Sequence, residues 1–102
     1  MNDRDRRAFR AMAPDLRLVE ITHMHKRPAG GAWHVAICAV GSSAKAAFVP
    51  FVTRSRTHVL PANPADWNVA RTEPICDPSP NLAAAHAVAR GFVLGRWGRW
   101  TI

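Results

Sequence analysis

Residues 16–53, LRLVEITHMHKRPAGGAWHVAICAVGSSAKAAFVPFVT, decide the fold of this chain. The segment contains three runs of β-forming residues, at 16–26, 32–40 and 45–53, separated by glycine-containing turn signals. The middle run is almost wholly apolar, which is typical of a central strand covered on both faces. Pro50 has no N–H to donate, so the third run is expected to be an edge strand there or to carry a bulge. The pattern predicts a three-stranded antiparallel β-meander.

Pairing these runs as hairpins predicts which side chains share a face of the sheet, because a slip of one residue turns every side chain over. We place Lys26 opposite Ala32 and Val40 opposite Lys45. The first face then contains Ile21, His23, His25, Trp33, Val35, Ile37, Phe48 and Val52. The second face contains Met24, His34, Ala36, Cys38, Val49 and Phe51. Both faces are too apolar to lie in water, so each needs a cover from an end of the chain or from a partner.

A helix is predicted before the sheet. Asn2 or Asp3 is placed to cap this N-terminal helix. It runs to about Met12, because the residue before Pro14 avoids the helical conformation. Phe9 and Met12 are its apolar anchors, three residues apart on one side of the helix.

A second and clearer helix is predicted after the sheet. Ser79 or Asp77 is its expected N-cap, and Pro80 lies in the first turn. Gly95 is the expected C-terminal stop. The apolar stripe that would lie on the sheet consists of Leu82, Ala85, Ala89, Phe92 and Val93. Gly91 interrupts this pattern at a cost of about 1 kcal/mol relative to alanine, which indicates either tight packing or fraying.

The connection between the sheet and the final helix is predicted to be mostly irregular. Asn63 before Pro64 predicts one or two helical turns over residues 64–70, with Trp67 as their anchor. Three prolines then prevent regular structure over residues 73–81.

These elements predict an α+β fold in which a three-stranded antiparallel meander carries an N-terminal helix and a C-terminal helix packed on the sheet, in the order α-β-β-β-α. The 102 residues, 48% of them hydrophobic, are expected to form a single small basic domain, residues 1–102. The element order resembles that of double-stranded RNA-binding domains, and this likeness implies docking by shape and phosphate contact. The likeness is one of topology, because Asn81, Leu82, Ala83 and Ala84 stand where a basic run opens the last helix of those domains.

The net charge of +7 is the strongest global signal and indicates attraction to polyanions. Residues 1–27 carry seven Lys or Arg against four acids, and residues 78–102 carry three Arg and no acid, whereas the middle of the chain is close to neutral. We therefore predict that the basic termini bind nucleic acid or a nucleoprotein complex. The predicted contacts are Arg4, Arg6, Arg7, Arg10, Arg96 and Arg99 on phosphate, with Trp97 or Trp100 stacking on bases.

Three interpretations stay open for residues 95–102, which alternate Arg with Trp between glycines. In the first interpretation they form a flexible tail that stacks on bases, as basic and aromatic residues do in single-strand binding proteins. Alternatively they dock on a protein, because Trp and Arg dominate interface hot spots. In the third interpretation Trp97 and Trp100 fold back on the second face of the sheet.

Candidate catalytic and metal-binding residues are few. His23 and His25 form an H-x-H pair on one strand face, a spacing that can chelate a metal. A site needs a third ligand, and His34 is predicted to lie on the other face, so no metal or other cofactor is expected. The seven acids are scattered, and the glycines match no phosphate-loop motif. We expect no enzyme, with a metal-free nuclease that uses His and Arg as the remaining catalytic alternative.

The favoured function is therefore a small non-enzymatic binding protein. The alternative is a protein-binding accessory that docks on an acidic protein surface, such as a phage-type inhibitor of a host enzyme complex with an anti-CRISPR-like role, or a homodimer that uses the second sheet face. The N-terminus is charged and the apolar runs are far shorter than a membrane span. A cytoplasmic protein without a membrane partner is expected.

Overall fold

The chain folds into an antiparallel β-sheet with one long helix on each face. The computed structural model describes residues 3–42 and 44–98. In chain order the long helices and the strands are α1 (Asp3–Met12), β1 (Arg17–Lys26), β2 (Ala32–Val40), β3 (Ala47–Ser55), β4 (Thr72–Pro74) and α2 (Leu82–Trp97). Within the described residues, four strands lie in the order β1-β2-β3-β4. The predicted α+β class is confirmed, whereas the predicted number of three strands is wrong.

The additional strand, β4, lies where a proline-rich sequence predicted an irregular loop. Just beyond it, the amide of Ile75 donates to the carbonyl of Pro50 at 2.8 Å. The backbones of Phe48 and Ser79 then exchange two hydrogen bonds, which extends the contact with β3. A three-residue strand is too short to show an alternating pattern. Pro74 is tolerated because it stands at the end of an edge strand.

The first hairpin has the predicted register at its turn but not along its whole length. Lys26 lies opposite Ala32, and His23 keeps its place on the first face, as predicted. The register then shifts between Ile21 and His23, so that Ile21 lies opposite Ala36 on the second face. A bulge sets two residues against one and reverses the alternation beyond it. The prediction for Ile21 was wrong because it assumed an unbroken ladder.

The second hairpin is shifted by two residues. Val40 lies opposite Ala47 and not opposite Lys45, but an even shift leaves every predicted face unchanged. Pro50 lies within β3, and its carbonyl accepts the bond from Ile75 on the side away from β2. Because the nitrogen and the carbonyl of one strand residue point to the same side, the ladder with β2 loses no hydrogen bond at Pro50.

The N-terminal helix α1 covers the second face. Phe9 is fully buried, and its ring centroid lies 5.5 Å from that of Phe51 and 6.5 Å from that of Trp67. The other buried members of this core are Ala13, Leu16, Ala36, Cys38, Val49 and Leu60. The predicted anchoring role of Phe9 is confirmed. The homodimer alternative required the apolar second face to be open to a partner. Those residues are already buried within the chain by α1.

The C-terminal helix α2 covers the first face through the predicted stripe. Ala85, Ala89 and Val93 are fully buried, and the last two pack against Val35 and Val52 of the sheet. The small alanine side chains let the helix lie close to the strands. The predicted packing of the final helix on the sheet is therefore confirmed.

Both ends of α2 differ from the prediction by two to four residues. The N-cap is Asn81, not Ser79 or Asp77, and its side-chain oxygen accepts a hydrogen bond from the amide of Ala83 at 2.8 Å. The helix continues through Gly95 to a cap at Gly98, which has a left-handed φ of 75°. A glycine favours a helix end only where the chain needs a left-handed conformation. That position is Gly98, so Gly95 stays helical.

Two short 3-10 turns, Pro64–Asp66 and Val69–Arg71, form the segment for which one or two helical turns were predicted. Asn63, as predicted, and Asn68 each cap one turn by accepting a hydrogen bond from the amide two residues later. Trp67 is buried between the turns, and its indole nitrogen donates to a backbone carbonyl of the same loop at 2.7 Å. Its predicted role as the anchor is confirmed.

Gly91→Ala is expected to raise the free energy of unfolding by about 0.4–1 kcal/mol, because alanine restricts the unfolded chain and suits a helix interior. A Cβ atom at Gly91 would meet no other atom within 4 Å, so neither tight packing nor fraying explains this glycine. Urea denaturation measures the effect. The reverse change at the exposed helical residue Ala87, Ala87→Gly, is expected to cost a similar amount. Destabilisation by Gly91→Ala would contradict the open surroundings described here.

Candidate functional site

Four arginines surround one cleft at the end of the sheet that holds the β1–β2 turn. Arg27 directly follows β1, and Arg54 is the penultimate residue of β3. Arg56 directly follows β3, and Arg71 directly precedes β4. The cleft has a volume of about 400 Å³. Its remaining lining residues are Ala29, Gly30, Ser55 and Asn68. We call this cavity the arginine cleft.

The pairing of β3 with β4 brings two of the arginines together. Thr53 lies opposite Thr72, both are fully buried, and their hydroxyl groups are hydrogen bonded. In an antiparallel pair the next residue on one strand lies beside the previous residue on the other. Arg54 and Arg71 therefore become neighbours, although 17 positions separate them in the sequence.

The β1–β2 turn places Arg27 on the other side of the cleft. The amide of Arg27 donates to the carbonyl of Gly31, and the amide of Gly30 donates to the carbonyl of Arg27, both at 3.0 Å. Both glycines have positive φ, of 101° at Gly30 and 76° at Gly31. Gly31 is buried against the carbonyl groups of Ser55 and Arg56. This close approach packs the turn against the end of β3.

Four guanidiniums concentrate positive charge at the arginine cleft. Partial burial, together with repulsion from the guanidiniums of Arg71 and Arg27, lowers the pKa of Arg54, which still remains charged at neutral pH. Within residues 3–42 and 44–98, none of the four cleft guanidiniums forms a salt bridge. Of the residues that the structure describes, no acidic one lines the cleft. An anion placed there would relieve the repulsion between the arginines.

A second cavity, of about 170 Å³, adjoins the arginine cleft. It is lined by Trp33, Val52, Ala70, Arg71, Glu73 and Arg96, and we call it the tryptophan pocket. The guanidinium carbon of Arg96 lies 4.8 Å from the ring centroid of Trp33, and that of Arg54 lies 5.6 Å away. Both distances are those of cation–π contacts. Arg71 lines both cavities, so they are neighbours on the surface.

Among the described residues, the predicted binding residues of the two termini are not brought together. Arg7 and Arg10 are exposed on α1, on the second face of the sheet, whereas Arg96 and Trp97 belong to α2 on the first face. Arg96 and Trp97 are in contact, with the guanidinium carbon 5.3 Å from the indole centroid. Outside the described part of the chain lie the side chains of Arg4 and Arg6, and all of Arg99 and Trp100.

Trp97 folds back on the sheet and stacks on the predicted H-x-H pair. Its indole centroid lies 5.1 Å from the imidazole centroids of both His23 and His25, with interplanar angles of 24° and 18°. Trp97 does fold back on the sheet, but the predicted face was wrong, because Trp97 packs on the first face and α1 occupies the second. Residues 95–97 form the last turn of α2.

The H-x-H pair is not part of a metal-binding cluster in the described part of the chain. No three His, Cys, Asp or Glu residues are grouped there as metal ligands would be. His34 is buried on the second face, and burial, followed by the charge of His58, lowers its pKa. Burial also raises the pKa of Cys38 to about 12, so this thiol stays protonated at neutral pH and is a poor nucleophile.

The net charges of long segments do not reveal the arginine cleft. Arg54 and Arg56 lie in the middle of the chain, where nearby acids bring the sum close to zero. The fold sets these arginines beside Arg27 and Arg71 in one cleft. A local signal was present, since the sequence Arg-Ser-Arg directly follows a predicted strand.

Comparison with known proteins adds no functional information. Family models, curated proteins and solved structures were compared with the chain, and none matches it significantly. Among the helices in the described residues, none has both the length and the apolar character required to span a bilayer. The geometry of the cavities is therefore the basis for a functional assignment.

Proposed function

We propose that this chain is a small non-enzymatic protein that binds nucleic acid, free or in a nucleoprotein complex, and that the arginine cleft holds the phosphate backbone. The observation that carries the proposal is the convergence of Arg27, Arg54, Arg56 and Arg71 on one cleft whose described lining contains no acidic residue. The setting proposed for this activity is the cytoplasm.

Arginine suits this role better than a simple point charge. Its planar guanidinium presents N–H donors in a fork that matches two oxygens of one phosphate. The net charge of +7 would also attract a polyanion from a distance and speed association. Phosphate contacts of this kind position a nucleic acid without reading its sequence.

The proposed main contact lies at the end of the sheet, whereas the sequence predicted a contact at the termini. Of the terminal residues predicted from the sequence, Arg96 lies next to the new site, because it lines the tryptophan pocket. Arg7 and Arg10 remain exposed on α1, and they provide the comparison that distinguishes the two locations.

The double variant Arg56→Gln with Arg71→Gln is expected to weaken binding to single-stranded oligonucleotides about tenfold, the equivalent of about 1.4 kcal/mol. Both side chains are exposed and line the cleft, so the fold should tolerate the changes. Fluorescence anisotropy at several salt concentrations measures binding. The slope of log K against log salt is expected to become shallower by about 1.4, since each phosphate contact on a single strand contributes about 0.7.

The matched control is Arg7→Gln with Arg10→Gln, which removes the same charge from α1. This variant is expected to keep most of the affinity and of the salt slope. If instead the α1 variant weakened binding and the cleft variant did not, the contact would lie at the N-terminus, as the sequence predicted. Affinity for DNA and RNA that did not fall with rising salt would contradict the phosphate contact itself.

A further inference from the structure

We infer that the tryptophan pocket takes a guanine base from a single-stranded nucleic acid whose phosphate lies in the arginine cleft. This inference rests on the proposed function and adds a base site to its phosphate site. The two cavities adjoin through Arg71. A nucleotide joins its base and its phosphate through one sugar, so adjoining cavities of different character suit it.

The two cavities differ in charge, which indicates that they hold different parts of a ligand. The arginine cleft has four guanidiniums and no acidic lining residue. The tryptophan pocket places Glu73 beside Arg71 and Arg96. A carboxylate repels phosphate but accepts hydrogen bonds from N–H groups. The pocket is therefore suited to a neutral group that has both donors and acceptors.

Guanine matches these polar groups better than the other bases. Its Watson–Crick edge presents N1–H and N2–H₂ side by side, and the two oxygens of Glu73 can accept from both. Its O6 and N7 atoms are the acceptors that a guanidinium binds in a bidentate manner, and Arg96 and Arg71 supply such groups. Adenine and cytosine offer a carboxylate one amino group each, and thymine offers one ring N–H.

The size and the walls of the pocket favour an unpaired base. Its volume of about 170 Å³ is several times the roughly 30 Å³ that a water molecule occupies in the liquid, which is room for one base and not for a base pair. Trp33 and Val52 supply an aromatic and an apolar wall. In a duplex the bases are stacked and paired, so recognition of this kind targets single strands with splayed bases.

The test is fluorescence anisotropy of the full chain with labelled DNA strands, repeated with RNA. One strand is a short oligothymidine with a single central guanine. There are three comparison ligands. The first strand contains only thymidine, the second is abasic at the central position, and the third ligand is a duplex of the guanine strand. The guanine strand is expected to bind about tenfold more tightly than the thymidine and abasic strands, the discrimination typical of a bidentate base contact. The duplex is expected to bind more weakly than the guanine strand.

Glu73→Gln is expected to reduce the preference for guanine over thymine to less than about threefold, because an amide offers only one acceptor oxygen. The preference is a ratio within one variant, so partial misfolding does not change it. Asp15→Asn removes the same charge from an exposed residue that lines neither cavity, and it should keep the full preference.

Equal affinities for the guanine, thymidine and abasic strands would overturn the base pocket, as would tighter binding of the duplex. The phosphate proposal would survive either result if the arginine-cleft variant still weakened binding. A chain that bound none of the strands would contradict both proposals at once.

Discussion

Phe9→Ala is expected to lower the free energy of unfolding by about 3–5 kcal/mol, the usual cost of removing a buried phenyl ring from a core. Phe9 is fully buried, and it contacts the rings of Phe51 and Trp67 on the second face. Its loss leaves a cavity between α1 and the sheet, and the neighbouring rings are held by other contacts. Urea denaturation followed by far-UV circular dichroism and by tryptophan fluorescence measures the change.

The control on the same helix is Arg10→Ala, which alters an exposed side chain and should stay within about 0.5 kcal/mol of the unmodified chain. A loss of less than about 1 kcal/mol for Phe9→Ala would show that α1 does not cover the second face. In that case the apolar surface of the sheet would again be open to a partner.

Gly31→Ala is expected to cost about 2–6 kcal/mol, because two effects act at this position. Its φ of 76° is left-handed, which strains any residue with a Cβ by about 1–3 kcal/mol. The added Cβ would also overlap the carbonyl oxygen of Ser55 and lie 3.3 Å from that of Arg56. Relieving the overlap requires a backbone shift, which typically costs a further 1–3 kcal/mol. Urea denaturation measures the total.

Gly30→Ala is the matched control in the same turn. Its φ of 101° is also positive, but a Cβ there would meet no atom within 4 Å. Strain alone, about 1–3 kcal/mol, is therefore expected. Equal losses for the two variants would contradict the close contact between the turn and the end of β3. Since Ser55 and Arg56 border the arginine cleft, the folded fraction of Gly31→Ala should also bind oligonucleotides more weakly than that of Gly30→Ala.

The arginine cleft lies at the end of the sheet because the two helices cover the faces of the sheet. With α1 on one face of the sheet and α2 on the other, neither face is left to form a broad binding surface. The connections at the end of the sheet remain accessible, and they carry arginines from three separate segments. Binding residues on connections that a rigid scaffold positions are a common arrangement.

Several features of this chain could be read from local patterns. The alternation of apolar residues and the paired glycines predicted the β1–β2 hairpin and its register at Lys26 and Ala32, which the structure confirms. The apolar stripe of the last helix predicted its buried residues, and Phe9 was identified as an anchor of the first. These features depend on residues that lie close together in the chain, so periodic patterns in the sequence predict them.

Other features depended on residues that are far apart in the chain. The bulge that moves Ile21 to the second face, and the short strand β4, arise from pairing with a neighbouring strand, and neither leaves a periodic signal. The register between β3 and β4 then sets Arg54 beside Arg71, and the β1–β2 turn adds Arg27. The sequence by itself determined the two long helices, the three long strands and the net charge of +7. Only the tertiary structure decided where that charge is concentrated, because the distances between charges depend on strand pairing and not on separation along the chain.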